Sequence, residues 1–178
     1  MSQYYYLVAS LPTLLRRERP PLTSEEILEM CGRLMSPGDF AQIRLAQLNA
    51  AASPPARCGL LRRFRAAEMG LRNELAKLRA REAGVALDRY VRPAAVDPAW
   101  AGAAREIFEQ DTPLKAEQLL GSVLWGLLDT LVVGHFFDVD FLAAYHLKTQ
   151  ILERDASFVL EAGRLKLESI LSGEAMHA

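Results

Sequence analysis

The chain lacks the short motifs of common catalytic sites: it contains no GxSxG, no Walker A loop, no GxGxxG and no HExxH. Acyl transfer, nucleotide hydrolysis, dinucleotide binding and zinc hydrolysis therefore lack their usual machinery. Histidine is scarce (His135, His146 and His177), and the one Glu-x-x-His spacing, Glu174 to His177, falls in the C-terminal tail. The two cysteines, Cys31 and Cys58, fit no zinc or redox spacing and point to a reducing compartment. Neither a metal nor a cofactor is expected. Carboxylates such as Glu106 and Glu109 sit at helical spacing, the ordinary pattern of a solvated face, so general acid–base work has no support and an enzyme is not expected.

Strand signals are nearly absent too. Tyr4 to Ala9 is the exception, an aromatic-rich stretch stopped by Pro12 that fits either a short extended segment or a helix. No secretory leader is expected at the N-terminus, because its apolar stretch is broken by Ser10 and Pro12 and its arginines come afterwards. The expectation is a cytoplasmic protein.

What is present is a core-building composition and helical punctuation. With 178 residues, 51% of them apolar, the chain suits a single domain that needs no disulfide or metal. Thr23 and Glu26 have the spacing of a capping box ahead of a helix from Ser24 to about Met35. Ser36-Pro37 starts a second helix, expected to run through Phe40, Ile43, Leu45 and Leu48 to about Ala51. After the break at Ser53-Pro54-Pro55, a long helix runs from about Ala56 to Gly84. Val85 to Val96 reads as a connection. Asp97-Pro98 and Thr112-Pro113 each open a further helix, reaching about Glu109 and Phe136. Asp138 or Asp140 caps a last helix to about Leu171, roughly 48 Å long if unbroken, with Asp155–Ser157 and Gly163 as places to bend. The expectation is an all-α, single multi-helix domain over 1–178. It comprises an N-terminal segment (1–22), a first helical group (24–84) and a second (97–172) with long antiparallel helices.

Leu119 to Phe137 is long enough to cross a bilayer, but Asp129 lies near its middle and no basic flank follows. It reads as a buried core helix in which Asp129 needs a partner. Charge is balanced in sum, at a net of -1, but not in place. Residues 57–92 carry ten basic against four acidic side chains, a net of +6. Arg62, Arg63 and Arg65 are the candidates for a basic contact surface. Interleaved Glu68, Glu74 and Glu82 suit helix-surface pairing, at the Arg65–Glu68 and Glu74–Lys77 spacings, better than a phosphate backbone.

Three stretches carry a resemblance: Tyr4-Tyr5-Tyr6-Leu7-Val8-Ala9-Ser10-Leu11-Pro12, then Leu71 to Ala80 around Arg72-Asn73-Glu74-Leu75, then Phe137 to Lys148 followed by Ile151-Leu152-Glu153-Arg154. Together they resemble a short bacterial family found alongside V/A-type ATPase subunits, itself similar to a reduced C-type (eukaryotic d-type) central-stalk subunit. The resemblance implies a non-catalytic coupling part whose partners are the central shaft and the membrane rotor ring, attached to the membrane through protein contacts. The chain is too short for the full set of repeated helical units in that subunit. Arg72, Asn73, Glu74, Arg79, Tyr145, Lys148, Glu153 and Arg154 are the motif residues that such a contact face would use. The competing reading pairs them inside the domain, for example Arg72 or Arg79 with Glu153. A transient helical adaptor or assembly factor for the same complex is the alternative function, and a basic-helix nucleic-acid binder is a third.

Overall fold

The helix signals recur in a computed structural model of the chain, which describes residues 3–16, 18–49, 54–86, 91 and 99–158. Seven helices and no strand occur among these residues: α1 (Tyr5–Ser10), α2 (Ser24–Leu34), α3 (Pro37–Arg44), α4 (Gly59–Ala83), α5 (Ala99–Phe108), α6 (Pro113–Leu131) and α7 (Val139–Ser157). The all-α expectation holds, and the open stretch at Tyr4–Ala9 is helical. The expected opening of α5 at Asp97-Pro98, the Val85–Val96 connection beyond residue 86 and the tail with His177 lie mostly outside the described residues.

Local chemistry starts most of these helices. Thr23 and Glu26 form a complete capping box, with Glu26 accepting the Thr23 N–H at 2.7 Å. Ser36 and Thr112 cap α3 and α6, each followed by proline. Asp138 caps α7 by accepting the Phe141 N–H at 2.9 Å. Gly84 ends α4 in the left-handed conformation (φ 65°), which costs glycine no Cβ clash.

Packing is organised around α7, which contacts α2, α3, α4 and α6. Residues 142–147 are buried without interruption, so this stretch of the helix is covered on all sides, with Leu142, Leu147 and Ile151 meeting Ile27, Ile43, Leu60 and Leu128 in one core. α4 runs alongside and holds α5 closely where Gly70 faces Trp100. A Cβ at Gly70 would stand 3.0 Å from the indole.

The polar residues of α7 point inward and bind distant backbone. Asp140 accepts the Leu60 N–H at 2.6 Å and the Cys58 thiol at 3.5 Å, so it caps α4, whose own N-cap side chain makes no cap bond. Tyr145 donates its hydroxyl to the Pro12 carbonyl at 2.7 Å. Gln150 donates to the Ala46 carbonyl (2.7 Å) and accepts the Leu48 N–H (3.1 Å). Glu153 accepts the Ser24 N–H at 2.7 Å, at the start of α2.

These bonds explain several departures from the sequence expectation. α3 stops at Arg44 instead of about Ala51, because Gln150 takes backbone groups the next turn would have used, and Asn49 adopts a left-handed φ of 63°. α6 stops at Leu131 instead of Phe136, since Gly134 turns the chain at φ 86°. α7 ends at Ser157, where Phe158 leaves helical geometry beside the expected Asp155–Ser157 bend site, and the expected stretch on to Leu171, with Gly163, lies outside the described residues. Asp129 lies on the exposed side of α6 instead of in the core and pairs with Lys148. Asp140 is a cap for α4 and not for its own helix.

Asp140→Ala leaves the α4 N-terminus without its acceptor and should lower the unfolding free energy by about 1–3 kcal/mol, seen as a lower urea midpoint. Asp140→Asn keeps an acceptor oxygen and should lose less. An unchanged midpoint for the alanine variant would show that α4 does not depend on this bond.

Candidate functional site

The second half of α4 presents Arg72, Ala76, Arg79 and Ala83 at steps of four, three and four, a heptad-like stripe along one face. This stripe edges a groove of about 500 Å³ that α6 and α7 complete. Leu75, Ala80 and Leu120 form its floor, Val85 closes one end, and Arg72, Arg79, Arg154 and Glu117 supply its charges. Arg72 donates to buried Glu68 at 3.0 Å, and Glu68 also accepts the Asn49 N–H at 3.1 Å. Arg154 pairs with Glu117 at 2.6 Å. Arg79 is exposed and has no ion-pair partner among the described residues. Glu68 and Glu117 offset two of the three guanidinium groups, and Arg79 leaves the groove with one net positive charge.

A second surface lies at the other end of the α6–α7 pair. The Tyr4 N–H donates to the Phe137 carbonyl at 2.6 Å, and the rings of Tyr5 and Phe137 meet at 4.6 Å. Around them Tyr6 and Val133 are 77% exposed and Phe136 66%. Exposed large apolar side chains grouped in this way mark a contact surface. Sixteen residues of α7 separate Asp138 from Arg154, which puts the two surfaces about 24 Å apart along the helix.

The sequence candidates divide between internal work and the groove. Arg72, Arg79 and Arg154 come together in the groove. The proposed pairing of Arg72 or Arg79 with Glu153 does not occur, because Glu153 serves the α2 N-terminus and Arg72 binds Glu68 four residues earlier on its own helix. The Arg65–Glu68 pair gives way to that same contact. Arg65 instead donates to the Leu45 and Pro54 carbonyls (2.5 and 2.8 Å), while Arg62 donates to the Arg57 and Ala56 carbonyls. Two arginines of the basic cluster are thus tied to the loop before α4, and Arg63 is left exposed. Glu74 pairs with Lys77 at 2.6 Å, as its spacing suggests. Asn73 and Tyr145 are buried, and Lys148 lies over the Trp125 ring at 5.0 Å besides holding Asp129. Sequence reasoning missed the alanine stripe, Glu117 and the aromatic end. The alanine spacing and the Phe136-Phe137 pair after Gly134 were the available signals.

Other clusters have structural roles. His135, Asp138 and Asp140 bring ligand-type atoms within 4.8 Å of one another. Their known bonds are internal: His135 Nδ1 to Asp138 at 2.6 Å, Asp138 to the Phe141 N–H, and Asp140 to α4. Burial raises the Cys58 thiol to about 12, helped by the Asp140 carboxylate, and raises Cys31 to about 11. A further cleft, of about 730 Å³, lies between Arg16 and the facing ends of α6 and α7. Its Arg16 is bound to Asp155 and its Lys115 to Asp111. Among the described residues no helix is long and apolar enough to cross a membrane.

Comparisons with family models, with curated proteins and with solved structures find no match for this chain.

His146 is 2% exposed and its Nδ1 has no hydrogen-bond partner. Burial lowers its pKa to about 4, with the Glu153 carboxylate pulling partly the other way. Below its unfolded value of about 6.5, the unfolded chain binds a proton that the folded chain refuses. The contribution of this group should therefore be complete above that pH and fall as pH drops toward 4, by about 3 kcal/mol at most. His146→Leu should remove this component from urea titrations across that window, and an unaltered pH profile would refute the assignment. In the groove, Arg79→Glu should leave stability within about 0.5 kcal/mol. Glu153→Ala, which uncaps Ser24, should cost about 1 kcal/mol by the same measurement.

Proposed function

We propose that this chain is a non-catalytic coupling protein, an accessory central-stalk subunit of a bacterial V/A-type ATPase that links the soluble motor shaft to the membrane rotor ring. The observation that carries the reading is the pair of unlike surfaces at opposite ends of the α6–α7 hairpin. One is a positive groove with an apolar floor, and the other is a cluster of exposed aromatic residues. A part that joins two bodies needs a contact face at each end, and close packing between them so that force on one reaches the other. The fully covered stretch of α7 supplies that packing. The resemblance in Tyr4–Pro12, Leu71–Ala80 and Phe137–Arg154 adds the identity of the two bodies.

The groups with strongly moved pKa values fit this reading. Cys31, Cys58, Tyr145 and His146 are all buried and none lines the groove; Tyr145 alone edges a cleft, one of about 250 Å³ beside Trp125, where its hydroxyl is held by the Pro12 carbonyl. Such groups in a cleft would have suggested chemistry. Here torque would pass as contact forces, with no bond made or broken, and membrane association would come from protein contacts.

Affinity purification of the tagged protein from its own membranes in gentle detergent, with stoichiometry by mass spectrometry, tests the proposal. Motor and ring subunits of a V/A-type ATPase should be recovered at one fixed ratio. Phe136→Glu and Arg79→Glu should each lose a different set of neighbours. Recovery of the protein alone, from cells shown to contain the assembled ATPase, would exclude the stalk role, and a variable substoichiometric yield would point to the transient adaptor instead.

A further inference from the structure

We infer that the α4–α6–α7 groove seats a single helix of a partner protein, one that carries carboxylates seven residues apart on either side of an apolar contact residue. The inference rests on the reading of this groove as an interface and specifies what enters it. Arg72 and Arg79 are seven residues apart, two helical turns or about 10.5 Å, with Ala76 between them on the same face and Ala83 one turn beyond. A helix lying alongside α4 repeats with the same rise, so its carboxylates meet both guanidinium groups only at that seven-residue spacing.

The alanines decide what lies between those charges. Ala76, Ala80 and Ala83 project little from α4, so an incoming helix can approach closely and set a larger side chain over them toward Leu75 and Leu120. A peptide binding by strand addition would need a free sheet edge, and the described residues contain no strand. Charge selects the sign of the partner. Glu117 neutralises Arg154, and Glu68 takes one bond from Arg72, but the Arg72 side chain stays 40% exposed and Arg79 has no partner among the described residues. An acidic helix would pair with Arg79 and with the exposed part of Arg72, whereas a basic one would meet the uncompensated charge of Arg79.

The chain itself has two acidic pairs at this spacing: Glu18 and Glu25, which Pro20-Pro21 keeps from forming one helix, and Glu161 and Glu168, with Leu165 between them, shortly after Arg154. Arg164 stands three residues after Glu161, at the helical spacing that shares its face, so this segment would add a cation to the positive rim. That repulsion favours a separate partner.

The test places a photo-crosslinking amino acid at Ala83, an exposed position on the stripe, in the full chain within its own cells. The cross-linked peptide is identified by mass spectrometry, synthesised and titrated against the full-length protein by fluorescence anisotropy. The expected peptide comes from another protein and has helical periodicity with Asp or Glu seven residues apart. Arg79→Glu should weaken its binding about tenfold or more, Arg79→Lys should retain most of it, and Glu→Lys in the peptide should restore binding to Arg79→Glu. Cross-links confined to residues 159–178, to a second copy or to lipid would overturn the inference, as would their absence or binding indifferent to Arg79→Glu. The two proposals fail separately. An acidic helix from a protein outside the V/A-type motor removes the stalk role and keeps the groove assignment. Motor subunits recovered at a fixed ratio with no cross-link at Ala83 do the reverse.

Discussion

The structure depends on the use of α7 as a central post whose polar side chains satisfy the backbone of segments remote in sequence. Asp140, Tyr145, Gln150 and Glu153 bind, in turn, the start of α4, the turn at Pro12, the chain after α3 and the start of α2. Buried backbone groups without partners are costly, so these bonds fix where each neighbouring element begins or stops against the core. The apolar residues of α7 supply burial, and the polar ones select one arrangement of the surrounding helices. The same demand explains why Tyr145 and Glu153, polar residues in a conspicuous motif, face inward.

With its polar groups committed to the interior, the hairpin of α6 and α7 is left with two unlike ends. At one, Gly134 turns the chain and leaves Val133 and Phe136 exposed beside the Tyr5–Phe137 contact. At the other, α4 contributes arginines and alanines in alternation, and Arg154 joins them from α7. The first surface would bind through apolar area and the second through charge steering and a close-packed helix. Under the proposed coupling role this asymmetry would keep two partners of different chemistry from exchanging ends.

Local signals were legible where the bonds concerned are local. The Thr23–Glu26 box, the Ser36-Pro37 and Thr112-Pro113 starts, the Asp138 cap and the Gly84 stop each join residues within a few positions, and each occurs as its spacing indicates. The groove was half legible. Arg72 and Arg79 share a face by helical arithmetic alone, but nothing local brings Arg154 to them or withdraws Arg62 and Arg65 into the loop carbonyls.

The sequence by itself determined an all-α chain and the start of most of its helices, because caps, prolines and apolar periodicity act over one or two turns. Tertiary structure alone decided that α3 ends at Arg44, that Asp140 caps a helix some eighty residues away, that Asp129 faces outward and that Glu153 is bound to α2 instead of an arginine. In each case competing partners are separated by long stretches of chain. Which of them wins depends on how helices pack in space, and no local pattern encodes that.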